Sequence, residues 1–482
     1  MSDILNLKPE RVWYYFNEIC KIPRPSKKEE KMTKWLVEFG KSHKLETLTD
    51  EVGNVLIRKP ATKGKENSKA IVLQSHTDMV CEKNASTVHD FDKDPIQPVV
   101  DGEWVKAKGT TLGADDGIGI AAQLAVLDAS DMAHGPIECL FTIDEETGLT
   151  GAFALKPGFL KGRILLNLDS EDEGQLFIGC AGGKDTSVSF SYTKDKTPEN
   201  TLAFKVSVTG LKGGHSGDDI NKGLGNAVKI INRFLWSASD KFALRISTID
   251  GGNLRNALAR EAFASVVIPE KHKNDFITYA DWYNTAVKDE LKVTEPELKF
   301  HIESSEKPAF VIDAKTQTNL LNSLYACPHG VIAMTADMPG LVETSTNLAS
   351  VKTLDNEIIV QTSQRSSVET SKDDIANMVA SVFKLAGAKV SHGEGYPGWK
   401  PNVKSELVGV MRKAYKKLFN QEPLVLAIHA GLECGVIGEK YPGMDMISFG
   451  PTLRGVHAPD EKINIETVDK FWKLLVEVLK SY

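Results

Sequence analysis

Apolar positions along the chain change their period several times, and each change predicts an element. Over residues 9–20, Val12, Phe16 and Ile19 recur at helical spacing, with Pro9 in the first turn and Pro23 and Pro25 beyond the end. Ser26-Lys27-Lys28-Glu29 has capping-box spacing ahead of Met32, Trp35, Leu36 and Phe39, and Gly40 is the expected stop. Val52 to Arg58 reads as a strand, followed by a polar connection over 59–69. From 70 to 184 short continuous apolar runs take over, around Ile71-Val72-Leu73, Ile137 to Ile143 and Ile164 to Leu168. They alternate with helical runs such as that through Leu124, Ala125 and Leu127. Continuous apolar strands are buried on both faces, so this stretch predicts a mostly parallel sheet with helices on both sides.

The texture changes around Gly179-Cys180-Ala181-Gly182-Gly183. Residues 186–192 and 202–209 alternate apolar and polar, as half-buried antiparallel strands do, and Leu224 to Trp236 looks helical. The same strand-then-helix order returns at 357–362 and 371–387, which suggests an internal duplication without a visible sequence repeat. After Gly393-Glu394-Gly395-Tyr396-Pro397-Gly398 the α/β texture resumes. A helix runs through Leu407, Val410, Met411, Ala414 and Leu418, a strand lies near 444–449, and Val468, Phe471, Leu475 and Val478 mark a last helix. A chain of 482 residues exceeds one core. We therefore expect an α/β domain from 1–186 and 399–482, with an α+β domain inserted at 187–398.

With 41% hydrophobic and 26% charged residues, the chain is an ordinary folded protein rather than a disordered one. A formal net charge of -7 argues against nucleic acid or an anionic membrane as the main partner. No apolar run approaches the ~18 residues of a membrane span, and the first residues lack the pattern of a secretory signal. The six cysteines are dispersed, with no C-x-x-C pair, so neither a zinc knuckle nor a disulfide framework is read. Reduced thiols and a cytoplasmic location are expected.

The candidate chemistry centres on Thr111-Leu112-Gly113-Ala114-Asp115-Asp116-Gly117-Ile118-Gly119, a glycine-flanked turn opening a helix. One aspartate there is explained by helix capping; the second is not. Adjacent carboxylates repel unless a cation lies beside them. His76 and Asp78 follow the first apolar run, Glu145 and Glu146 the second and Asp169 the third, while His457 closes a late glycine-rich stretch. Open α/β sheets hold ligands at the carboxyl ends of their strands, which is where these groups fall. Two imidazoles (His76, His457) and three carboxylates (Asp115, Glu146, Asp169) suit two divalent ions, zinc first, with manganese or cobalt as alternatives. Asp115 would bridge ions roughly 3.5–4 Å apart that turn a shared water into hydroxide near neutral pH. Glu145 would accept the proton, and Asp78 would fix the His76 tautomer. His215, among the glycines of 213–217, reads equally as a surface turn histidine or as a group steadying an oxyanion. Arg365 could hold a carboxylate, although for a lone arginine a surface ion pair is the commoner role. If His457 is a ligand, the last segment must return to the first domain.

These motifs resemble the co-catalytic zinc metallopeptidases of the carnosinase and aminoacylase type. SHTDMV (75–80), GADDGIGIA (113–121), DEETGLTGA (144–152), NLDSEDEG (167–174), GGHSG (213–217) and GPTLRGVHAPDE (450–461) carry the likeness across nearly the whole chain. Their spacing is most similar to the branch that cleaves dipeptides ending in histidine. The resemblance implies metal binding by His76, Asp115, Glu146, Asp169 and His457, Asp115 bridging, Asp78 supporting and Glu145 as general base. It implies a cis Asp115-Asp116 bond. It also implies that 187–398 forms a lid in which His215 reaches the substrate carbonyl, Asn256 and Arg365 hold the substrate's carboxyl end, and Gly431 approaches by its backbone. A homodimer is expected on the same ground. A related hydrolase of N-acyl amino acids or tripeptides, or a metal-binding protein without activity, are the competing readings.

Overall fold

The computed structural model describes residues 3–482. The chain divides into two compact units: residues up to Cys180 with Trp399–Ala427 and Leu432–Tyr482, and Ala181–Gly398 with Ile428–Gly431. The expected boundary at 186/187 falls inside a ten-residue strand, Gly182–Ser191, so the division lies at the strand's start instead. The short return of 428–431 to the second unit had no counterpart in the sequence reading.

The first unit is built on an eight-stranded sheet. Its order is Glu46–Thr49, Val55–Lys59, Ile137–Thr142, Ile71–His76, Ile164–Asn167, Asp445–Ser448, Gln175–Cys180 and Leu424–Ile428. The four strands from Ile137–Thr142 to Asp445–Ser448 run parallel, while Val55–Lys59 on one side and Gln175–Cys180 on the other pair with them antiparallel. The sheet is therefore mixed, and the expectation of a mostly parallel one holds for its centre only. Both Ile71–His76 and Ile137–Thr142 are buried at every position. Leu56, Val72, Leu140 and Leu165 pack with Val436 and Ile437 of the helix Glu433–Lys440 and with Tyr441 just after it. The helix Ala114–Asp128 contacts the Ile71–His76 strand. Glu138, charged within an apolar run, is satisfied by Arg58 Nε at 2.7 Å and by two backbone N–H groups of 161 and 162.

Two local readings are corrected. The strand expected from Val52 follows an unforeseen strand at Glu46–Thr49 and starts at Val55, because Asp50 Oδ1 accepts the N–H groups of Val52, Gly53 and Asn54 and holds them in a turn. The helix Glu30–Ser42 has no side-chain cap. Ser26 instead donates to Asp78 Oδ2 at 2.8 Å, and Glu29 Oε1 accepts from the N–H groups of Lys27 and Asp144. Tertiary partners took both halves of the capping box.

A small sheet of Leu453–Arg454, Lys462–Asn464, Trp104–Ala107 and Pro98–Asp101 ties the late chain to the early one, with Ile463 opposite Val105. It holds the 455–461 loop by both ends.

The second unit carries a nine-stranded antiparallel sheet running from Lys299–Ser304 at one edge to Lys389–His392 at the other. Its core gathers Val188, Phe190, Val206, Ile246, Val266 and Val360 from the strands with Phe234, Phe276, Leu320 and Phe383 from helices. Among the described residues no helix is long and apolar enough to cross a membrane.

Candidate functional site

Three of the parallel strands end on one edge of the sheet, where His76 lies opposite Thr142 and Asn167 opposite Gln74. His76 is the last residue of its strand, Glu145 begins a short helical turn just after Ile137–Thr142, and Asp169 lies two residues beyond Ile164–Asn167. Asp115 comes from the turn before a helix. Its peptide bond to Asp116 is cis, and neither aspartate has helical backbone angles. His457 comes from the late loop with a φ of 62°.

The two aspartates of the turn divide the work. Asp116 Oδ1 accepts the N–H of Gly119 at 3.1 Å and caps the helix that follows. Asp115 points its two oxygens at two imidazoles: Oδ1 lies 3.1 Å from His76 Nε2, and Oδ2 lies 3.1 Å from His457 Nε2. Asp169 Oδ1 is 3.4 Å from His76 Nε2, and Glu146 Oε1 is 3.1 Å from His457 Nε2. The groups His76/Asp115/Asp169 and Asp115/Glu146/His457 each bring their donor atoms within 4.8 Å of one another, sharing Asp115. Asp78 stands behind them, with Oδ1 3.2 Å from His76 Nδ1 and its two oxygens accepting the N–H groups of Glu145 and Glu146.

The electrostatics follow from this crowding. Burial, together with the His76 and Asp115 neighbours acting in opposite senses, leaves the Asp169 carboxyl well above the usual carboxylate range. Against burial, His457 and His76 hold Asp115 low. Burial pushes Glu145 up to about 8, with His76 opposing and the carboxylates of Glu433, Glu146 and Asp115 adding to it. Hydrogen bonds to Asp115 and Glu146 push His457 up to about 11. The carboxylates thus draw both imidazoles toward their protonated form. Two divalent cations among the same nitrogen and oxygen donors would satisfy that excess of negative charge, so the residues fit a two-metal centre. Glu29, Asp78 and Asp144 form another buried acidic group, but there the protein supplies the donors. Thr147 and Thr150 hydroxyls serve Asp144, backbone N–H groups serve Glu29, and Ser26 serves Asp78.

Within the second unit the structure gathers His215, Asn256, Arg365 and Gly431. Arg365 is buried, with 7% exposure, and among the described residues no carboxylate pairs with it. Its Nη1 donates to the Tyr396 hydroxyl at 3.1 Å, its Nη2 lies 3.4 Å from His215 Nε2, and its Nε has no partner. The surface-pair alternative for Arg365 is therefore wrong. His215 Nδ1 accepts the backbone N–H of Asp218 at 3.3 Å and lies 3.2 Å from Asp218 Oδ2, while its Nε2 faces Arg365. Asn256 accepts the N–H of Ser216 through its carbonyl, placing its segment beside that of His215. Asn256 and Arg365 line one cavity of about 630 Å³ with Arg255, Tyr396, Asp185 and Glu394. Gly431 has a packing reason to be glycine, because a Cβ there would come 2.8 Å from the Tyr396 ring.

Several site residues escaped the sequence reading. Tyr396, in a glycine-rich break, was read only as a boundary. Glu433 is fully buried beneath the centre, bound by Gln74 Nε2 at 2.5 Å and the Thr142 hydroxyl at 2.8 Å. Arg24 and Glu461 carry no local signal of their place at the site, although Glu461 ends the 450–461 motif.

Comparison with known proteins gives the family. Residues 72–481 match the peptidase family M20/M25/M40. The chain is 45% identical over 481 residues to the cytosol non-specific dipeptidase of Escherichia coli (strain K12), covering 100% of this chain and 99% of that protein. The crystal structure of aminoacylhistidine dipeptidase from Vibrio alginolyticus superposes with a TM-score of 0.94 at 45% identity, covering 100% of this chain and 98% of that one. The structure of an aminopeptidase from Bacillus cereus ATCC 10987, 17% identical and covering 98% of both chains, shares the fold at a TM-score of 0.57. By the matched residues and these full-length relatives, the chain belongs to peptidase family M20/M25/M40.

Proposed function

We propose that the chain is a divalent-metal-dependent dipeptidase whose substrates include dipeptides ending in histidine. The observation that carries the reading is Asp115, whose two oxygens each face the Nε2 of a different histidine. The full-length relatives named as dipeptidases support the substrate class. His76, Asp115 and Asp169 would hold one ion, and Asp115, Glu146 and His457 the other. Zinc suits these donors best, and manganese or cobalt fit them too. When bound, the ions supply Lewis-acid polarisation of the scissile carbonyl and of the attacking water.

The chain's own residues do the rest. Glu145 accepts a proton from the water and returns it to the leaving amine nitrogen. Asp78 keeps the His76 ring in register and, through the N–H groups of Glu145 and Glu146, ties the base to the ligand strand. The second unit acts as a lid in function: Arg365 and Asn256 receive the substrate's carboxylate, His215 donates toward the developing oxyanion, and Gly431 offers backbone. The E. coli relative is named as cytosolic, which supports a cytoplasmic enzyme. A homodimer is the assembly we propose.

Glu145→Gln tests the mechanism. It should lower kcat by about 10²–10⁴-fold while both metals stay bound, as measured by metal analysis of the purified variant. A fully metallated variant turning over at the wild-type rate would remove Glu145 from this role.

A further inference from the structure

The glycines around the double aspartate have a specific neighbour. A Cβ on either Gly113 or Gly117 would lie 2.7 Å from Arg24 Nη2. Arg24 is 2% exposed, and it spends its donors on backbone carbonyls: Nη1 on Thr77 at 3.0 Å and Asp78 at 2.7 Å, Nη2 on Gly113 at 2.5 Å. It thus joins the segment just after His76 to the turn that carries Asp115.

Glu461 meets the same turn through its N–H groups. Its Oε2 accepts from Leu112 at 2.7 Å and Gly113 at 2.9 Å, and its Oε1 accepts from Ala114 at 2.7 Å and Asp115 at 3.3 Å. This is not ordinary helix capping, because Asp116 already caps the helix and the gripped residues precede it. Glu461 is itself 2% exposed and stands four residues after His457, in a loop closed by the Ala458-to-Gly455 and Glu461-to-Ala458 backbone bonds. Two buried, oppositely charged side chains therefore connect three ligand-bearing segments through backbone alone.

We propose that Glu461, which shares the Gly113 turn with Arg24, is a positioning residue that couples the two metal subsites. It aims the bridging carboxylate of Asp115 and fixes the His457 loop to the same turn. The inference rests on the two-metal reading above. His76 and Asp169 follow buried strands and keep their places without Glu461, whereas His457, 49% exposed on its loop, depends on it. Loss of Glu461 should therefore weaken the subsite containing His457 more than the one containing His76 and Asp169.

The test is a zinc titration of the metal-stripped full chain against a chromogenic chelator, for the wild type, Glu461→Gln and Glu461→Asp. Gln replaces one accepting oxygen with a donor facing N–H groups, and Asp retracts the carboxylate. Removing such supporting contacts to a ligand typically costs about 10–100-fold in metal affinity. We expect a loss of that size at the subsite containing His457, identified as the one that His457→Ala also weakens, and a smaller one at the other. The metal-free melting temperature should stay near wild type, and kcat at limiting zinc should fall but recover with excess zinc at unchanged KM. Equal affinities in variant and wild type would overturn the proposal. So would equal losses at both subsites that track a lowered metal-free melting temperature, since that is a purely structural role. If Glu461→Gln does not fold, Glu461→Asp decides on the same criteria. A wild type that binds no zinc would instead defeat the two-metal reading beneath it.

Discussion

A buried guanidinium with no carboxylate beside it is costly unless something else supplies the charge. Arg365 is in that position, with an unpartnered Nε and a cavity in front of it. A substrate carboxylate would complete it. Arg365→Ala should therefore lower kcat/KM for dipeptides by about 10–100-fold, chiefly through KM, the worth of a charge-assisted hydrogen bond of ~1.5–3 kcal/mol. A dipeptide amide, lacking the carboxylate, should be cleaved equally by both proteins. A loss of the same size on the amide would place the effect elsewhere than carboxylate binding. The burial of Arg365 could not be read from its strand, because the Tyr396 that packs on it comes from a separate glycine-rich segment. The double aspartate was legible at this scale, since one capping role and one surplus carboxylate follow from the residues alone. Glu461 and Arg24 were not. Each acts on backbone far away in sequence, and no local pattern marks a side chain whose partners are peptide groups.

At the scale of elements, the candidate ligands at the ends of parallel strands were legible for a simple reason. A continuous apolar run that stops at His76, Asp144-Glu145-Glu146 or Asp169 announces both a buried strand and a polar edge. Patterns depending on one or two side chains fared worse. Ser26 and Glu29 had the spacing of a cap but were drawn to Asp78 and Asp144. The strand Gly330–Met334 raises a different point. His329, just before it, accepts the N–H of Leu348 on Nδ1 at 3.2 Å, and burial with Lys229 nearby pushes its pKa from 6.5 down to about 4. The folded state therefore holds this ring neutral where the unfolded chain would protonate it. Its contribution is complete above pH ~6.5 and is lost as pH falls toward ~4, up to about 3 kcal/mol. His329→Gln should flatten the acid limb of the second unit's stability curve, measured by denaturant unfolding from pH 8 to 4. A parallel downward shift at all pH values would show that the histidine's titration is not the cause.

Across the whole molecule, the division of labour we propose is between a unit that gathers five candidate metal donors and a candidate base and a unit that gathers a buried arginine, a histidine and a cavity. The acidic net charge of -7 is spread over a chain that nonetheless holds Arg365 buried without a paired carboxylate, so overall charge says little about the substrate. Both readings meet in one experiment. Metal-stripped protein, alone and with zinc, manganese or cobalt restored, is offered β-alanyl-histidine, glycyl-histidine, alanyl-leucine, a histidine-free tripeptide and an N-acetyl amino acid. The account predicts hydrolysis of the dipeptides, histidine dipeptides among them, only when metal is restored, and little of the tripeptide or the N-acetyl compound. Hydrolysis that persists without metal, or that is confined to the N-acetyl amino acid, would contradict it.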